Sequence, residues 1–151
     1  MKKFTAIFLF LASVSYGQIS EHEKKDYLEY LDTQAREAIH NGLHVTPGDS
    51  ADFWAIYNRY AIEKKALTSR FMDLIDGYTR EFEILTEDQE YKMIHQAIEL
   101  RKNDLRLKEK YFELISHEIN IPTAAAFYQN EMYYQTQSRL EVMEKIPFIG
   151  Q

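Results

Sequence analysis

The chain has 151 residues, with 18 Lys and Arg against 24 Asp and Glu, a formal net charge of −6 at pH 7, and no cysteine. An acidic balance disfavours non-specific binding to nucleic acid or to an anionic lipid surface. The missing cysteines exclude a disulfide framework, thiol redox chemistry and thiolate metal sites, and the length suits one domain with a modest core.

Lys2 and Lys3 precede an apolar run from Phe4 to Val14, and Ser15-Tyr16-Gly17 then sets small residues around a cleavage position. This pattern predicts a Sec-type signal peptide over 1–17, cut between Gly17 and Gln18, with 18–151 as the mature domain. The apolar run is too short to span a bilayer as a helix, so no membrane insertion is expected, and the alternative is an N-terminal membrane anchor. The expected location is the periplasm, or outside the cell. Removing 1–17 takes away two lysines and no acid, so the mature chain is more acidic still.

Beyond residue 17 the prolines are Pro47, Pro122 and Pro147 and the glycines Gly42, Gly48, Gly77 and Gly150. Long helices broken at a few joints account for that spacing, and no strand-like alternation persists, so the predicted class is all-α with four long helices in helical hairpins. Residues 20–41 form the first helix, with Ser20 as N-cap, Glu21 and Glu23 in the first turn, and Gly42 as the stop. Thr46 caps the second, with Pro47 at the first helical position. Its apolar stripe is Phe53, Ile56/Tyr57, Tyr60, Leu67, Phe71 and Leu74/Ile75. The connection falls at 78–85.

Leu85-Thr86-Glu87-Asp88-Gln89 opens the third helix, to about His117, with a capping box between Thr86 and Gln89. A shift of forty residues aligns Leu107 with Leu67, Tyr111 with Phe71, Leu114 with Leu74 and Ile115 with Ile75, a weak internal repeat. Both copies carry a charge where the stripe should be apolar, Lys64 in one and Asp104 in the other. The fourth helix runs from Pro122 to about Lys145, apolar on more than one side, and leaves the apolar tail Ile146-Pro147-Phe148-Ile149.

No nucleophile elbow, phosphate-binding glycine loop or His-Glu-x-x-His is present, so neither an enzyme nor a cofactor is expected. His40 and His44 have the spacing of a helical metal pair, but Gly42 lies between them. Glu81, Glu83, Glu87, Asp88 and Glu90 form an acidic corner that a helix N-terminus also explains. The aromatics exceed what one stripe per helix can bury. Phe53, Trp54, Tyr57, Tyr60, Tyr133, Tyr134 and Phe148 are therefore the expected partner-binding or dimer face.

The complete Leu85–Gln89 motif, with a degenerate copy at Val45-Thr46-Pro47-Gly48-Asp49, resembles the LTxxQ-motif periplasmic proteins, the Spy/CpxP group. Similarity to a branch of small periplasmic helical proteins rests on Phe53 to Tyr60, Glu63 to Leu67, Ile121-Pro122, Ala125 to Gln129 and Ile146-Pro147. The resemblance covers roughly 43–149. It implies a hooked four-helix protomer, an antiparallel homodimer forming a cradle, and an ATP-independent chaperone or an envelope-stress regulator that binds unfolded proteins or an envelope partner. The group's cradle is typically basic, whereas here only Arg101 to Lys110 and the bases of the second helix supply positive charge. The alternatives are a regulatory or sensing partner of a membrane signalling system, docking through the 146–149 tail, and a metal-binding stress protein.

Overall fold

The computed structural model describes residues 20–143; the signal peptide expected over 1–17, the 146–149 tail and Phe148 lie outside the described residues. The described residues are all-helical: α1 (Glu21–Gly42), α2 (Ser50–Glu81), a 3₁₀ turn (Phe82–Ile84), α3 (Glu87–Glu118) and α4 (Ile121–Met143). None of the helices is long and apolar enough to cross a membrane.

Local chemistry sets most boundaries. At Ser20 the Glu23 amide donates to the hydroxyl at 3.2 Å and the Ser20 amide donates back to the Glu23 carboxylate at 2.9 Å, a complete capping box. The same reciprocal pair forms at Thr86 and Gln89, at 3.4 and 2.9 Å. Three expectations need correction. Thr46 does not cap α2 directly. Its hydroxyl takes the Asp49 amide and donates to the Asp49 carboxylate at 2.8 Å. Pro47 thus sits in a turn, and the helix proper starts at Ser50. Nor does the connection begin at 78: α2 runs to Glu81, and the Thr79 hydroxyl bonds back to the Ile75 carbonyl at 3.0 Å. One helical glycine costs only about 1 kcal/mol, too little to break a packed helix. Gly42 is the last residue of α1, and it lies where α1 and α4 come close. A Cβ there would lie 2.3 Å from Asn130 Oδ1 of α4, so this joint needs the missing side chain.

The four helices form an antiparallel ring in which α1 packs on α2 and α4, and α3 on α2 and α4. Cross-links fix the pairing: Lys24 to Asp73 and Arg36 to Asn58 for α1/α2, Lys110 to Glu63 for α2/α3, and Gln135 to Asp104 for α3/α4. The main core takes residues from every helix, including Ile39, Phe53, Tyr57, Tyr60, Ile115 and Phe127. The ring of Phe127 stands edge-on to Tyr60 at 5.0 Å and to Tyr57 at 6.4 Å, and Tyr60 meets Tyr111 at 5.3 Å. Each such burial contributes about 1.5–3 kcal/mol, and each ring pair about 0.5–1.5 kcal/mol more. A second cluster of Tyr27, Leu28 and Met72 closes α1 on α2 farther along.

Candidate functional site

The sequence reading places Phe53, Tyr57 and Tyr60 on a partner-binding face. Their relative exposures are 0, 1 and 1%, so they are core of the protomer itself. The physical reason is α4: it is apolar on more than one side and inserts Phe127 among them. Trp54 is half-buried at the rim, edge-on to Phe53 and Tyr57 at 5.4 Å each. The Arg36 guanidinium lies 5.8 Å from the Trp54 ring and 5.3 Å from that of Tyr57, a cation–π contact that carries α1 onto α2. Tyr134 is half-buried, and its hydroxyl donates to the Leu31 carbonyl at 3.1 Å. Among the described residues of that expected face, only Tyr133 is widely exposed. Thr86 and Gln89, with half-buried Leu85 ahead of them, serve as a helix cap.

His40 and His44 are both exposed, and His40 packs toward Trp54 at 6.2 Å. Among the described residues no group of three His, Asp or Glu side chains is placed to hold a metal ion. In the acidic corner Asp88 is answered by Lys92 at 2.5 Å.

Two features emerge that composition and periodicity do not show. The first is a polar network in the bundle's interior. Asp104 of α3 takes hydrogen bonds from Lys64 of α2, from Lys108 at 2.7 Å, from Gln135 at 2.7 Å and from Arg139 at 3.4 Å. Lys108 also donates to the Gln135 carbonyl oxygen. Burial alone would raise the Asp104 carboxyl, but Lys64 and Lys108 outweigh it and hold it at about 2. Burial, with Lys64 nearby, pulls the Lys108 ammonium down. Next to this cluster Tyr60 donates to Glu131 at 2.7 Å. Burial raises the Glu131 carboxyl, and burial beside Glu131 pushes the Tyr60 phenol well above its usual value.

This network borders a cavity of about 160 Å³ between the two hydrophobic clusters, lined mainly by α1, α2 and α4. Its apolar walls include Leu28, Leu31, Phe71, Met72 and Ile75. Lys64, Asp104, Glu131, Gln135 and Arg139 line its polar end.

The second feature lies on the outside. The α3 helix carries Tyr91, Ile94, Ile98 and Leu105, exposed by 64, 48, 42 and 54%. Their three-, four- and seven-residue steps set them on one helix face. Period alone does not say which face of a helix finds a partner. The side that packs carries half-buried Met93, Ala97 and Leu100, followed by buried Asp104 and Leu107.

No family model, curated protein or solved structure matches this chain.

Proposed function

We propose that the protein is a non-enzymatic envelope protein that holds apolar segments of unfolded or partner proteins on the exposed face of α3. The observation that carries this reading is the row Tyr91, Ile94, Ile98 and Leu105. These are four large apolar side chains on one face of a helix, each more than two-fifths exposed. Such a row is a binding surface rather than ordinary exterior. The Sec-type leader supports the envelope as the place where it acts, and the LTxxQ-like motif supports a hooked, chaperone-type protomer.

A homodimer is part of the same reading. Acids (Glu87, Asp88, Glu90) flank one end of the row and bases (Arg101, Lys102, Arg106) the other. Two copies crossing antiparallel on this face set acids against bases and cover the apolar row between them.

The test is suppression of aggregation of a chemically unfolded model protein, at near-stoichiometric amounts and without ATP, with sedimentation to read the oligomer. Light scattering should fall in proportion to added protein. I94D and I98D together should abolish the effect while leaving helicity intact. Undiminished scattering with the wild-type protein would refute the reading.

A further inference from the structure

The cavity between the two hydrophobic clusters has a chemistry of its own, distinct from the outer face of α3. Its polar end holds more positive than negative charge. Lys64, Lys108 and Arg139 all bear on the single carboxylate of Asp104. The other acids nearby are already engaged: Asp32 has Arg36 at 3.8 Å, and Glu131 takes the Tyr60 hydroxyl. Arg101 and Lys65 add further positive charge to the lining. In a chain with a net charge of −6, this is a local reversal of sign. The rest of the wall is aliphatic and aromatic, a surface that suits an apolar guest. From Lys64 to Ile75 the lining residues of α2 span about 16 Å of helix.

We propose that this cavity binds a single-chain acyl carboxylate, its headgroup taken by Lys64 and Arg139 and its chain lying along Leu31, Phe71, Met72 and Ile75. Lys64 and Arg139 are the cations with room to turn to a ligand. Their side chains keep 21 and 33% exposure, whereas Lys108 keeps 2% and stays on Asp104 and Gln135. A carboxylate is the right size and charge for the shared positive end, and an Arg fork pairs with it bidentately. The pattern is that of a ligand pocket: mostly apolar walls with a few polar groups that fix orientation.

Calorimetric titration of the purified protein below micellar concentrations tests this, with dodecanoate and dodecyltrimethylammonium as paired probes. Dodecanoate should bind saturably at one per protomer and raise the melting temperature, and the cationic amphiphile should bind at least about tenfold more weakly. R139Q should weaken dodecanoate by about fivefold or more while leaving the cationic probe unchanged. A35L, which narrows the cavity, should block binding; S138L does the same from α4 if circular dichroism shows A35L to be unfolded. No saturable binding, equal affinity for the two probes, or unchanged dodecanoate affinity in R139Q would overturn the proposal, as would uptake by phosphatidylglycerol vesicles without any binding of free dodecanoate. The I94D and I98D substitutions on α3 lie outside the cavity lining. Loss of chaperone-type activity in them, with dodecanoate binding retained, therefore separates this proposal from the preceding one.

Discussion

The hydroxyl of Tyr60 on α2 donates a 2.7 Å hydrogen bond to the carboxylate of Glu131 on α4, and both residues are all but sealed from solvent. Burial raises the Glu131 carboxyl above 4.5. For a raised acid, the stabilising form is the protonated one. Its contribution is fully present below 4.5 and is lost as pH rises through the folded-state value. Wild-type stability should therefore decline as pH rises above 4.5, and E131Q, whose amide still accepts from Tyr60, should flatten that decline. Urea midpoints between pH 4.5 and 8 read the difference. Y60F leaves the carboxylate without its donor and should cost about 1–3 kcal/mol at pH 7.

Asp104 titrates with the opposite sign. Its carboxyl is lowered from 3.8 to about 2, so its stabilisation is present above pH 3.8 and lost as pH falls through about 2. The shift corresponds to about 2 kcal/mol. D104N should remove that acid limb and, by leaving Lys64 and Lys108 beside a neutral partner, destabilise the fold at pH 7 by about 3–5 kcal/mol. Replacing Lys64 by Met in the same chain should recover part of the loss. A double-mutant cycle on urea unfolding checks the coupling, and strict additivity would argue against a shared network.

Lys64 and Asp104 also show how far the sequence could be read. A shift of forty residues put both at the same place in two helices, as charges interrupting apolar stripes, and the antiparallel α2/α3 pairing brings them face to face. The stripe residues Leu107, Tyr111 and Ile115 are buried as their period implies. Both capping boxes follow from side chains three residues apart, which is why Ser20 and Thr86 mark true helix starts. Tyr57 and Tyr60 were legible as an apolar stripe, but whether that stripe met a partner or the protomer's own fourth helix was not, because that depends on α4 setting Phe127 against them. The cavity was not legible at all: it arises from how the helices separate between two clusters, and helical period carries no such information. The exposed row on α3 was hidden for a related reason, since period alone does not tell which apolar residues of a helix lie on the side that packs.

Gly42 offers a test of close helix approach. A Cβ there would meet Asn130 Oδ1 at 2.3 Å, and Asn130 donates to the Ala126 carbonyl at 2.8 Å. G42A gains up to about 1 kcal/mol of backbone entropy in a helix, but must turn Asn130 out of its hydrogen bond or push α4 away, which costs about 1–3 kcal/mol. The net effect should be a loss of up to about 2 kcal/mol. Adding N130A removes the obstacle, so G42A/N130A should be at least as stable as N130A alone, as read by thermal melting. If G42A costs the same in both backgrounds, the contact with Asn130 is not the reason for the glycine.

The Thr86 capping box bears on what the LTxxQ-like motif is for. The Thr86 hydroxyl takes the Gln89 amide, the Gln89 carbonyl takes the Thr86 amide at 2.9 Å, and Glu87, Asp88 and Glu90 face the positive end of the helix dipole. Both side chains are spent on backbone groups at the start of α3. T86A should therefore lower stability by about 1 kcal/mol and increase amide exchange in the first turn of α3, the stretch that leads into Tyr91 and Ile94. Fraying there would loosen the apolar row without touching the cavity. T86A should accordingly weaken suppression of aggregation while dodecanoate affinity stays at the wild-type value. Loss of activity in T86A with first-turn exchange unchanged would mean that the threonine meets a partner directly rather than holding the helix end.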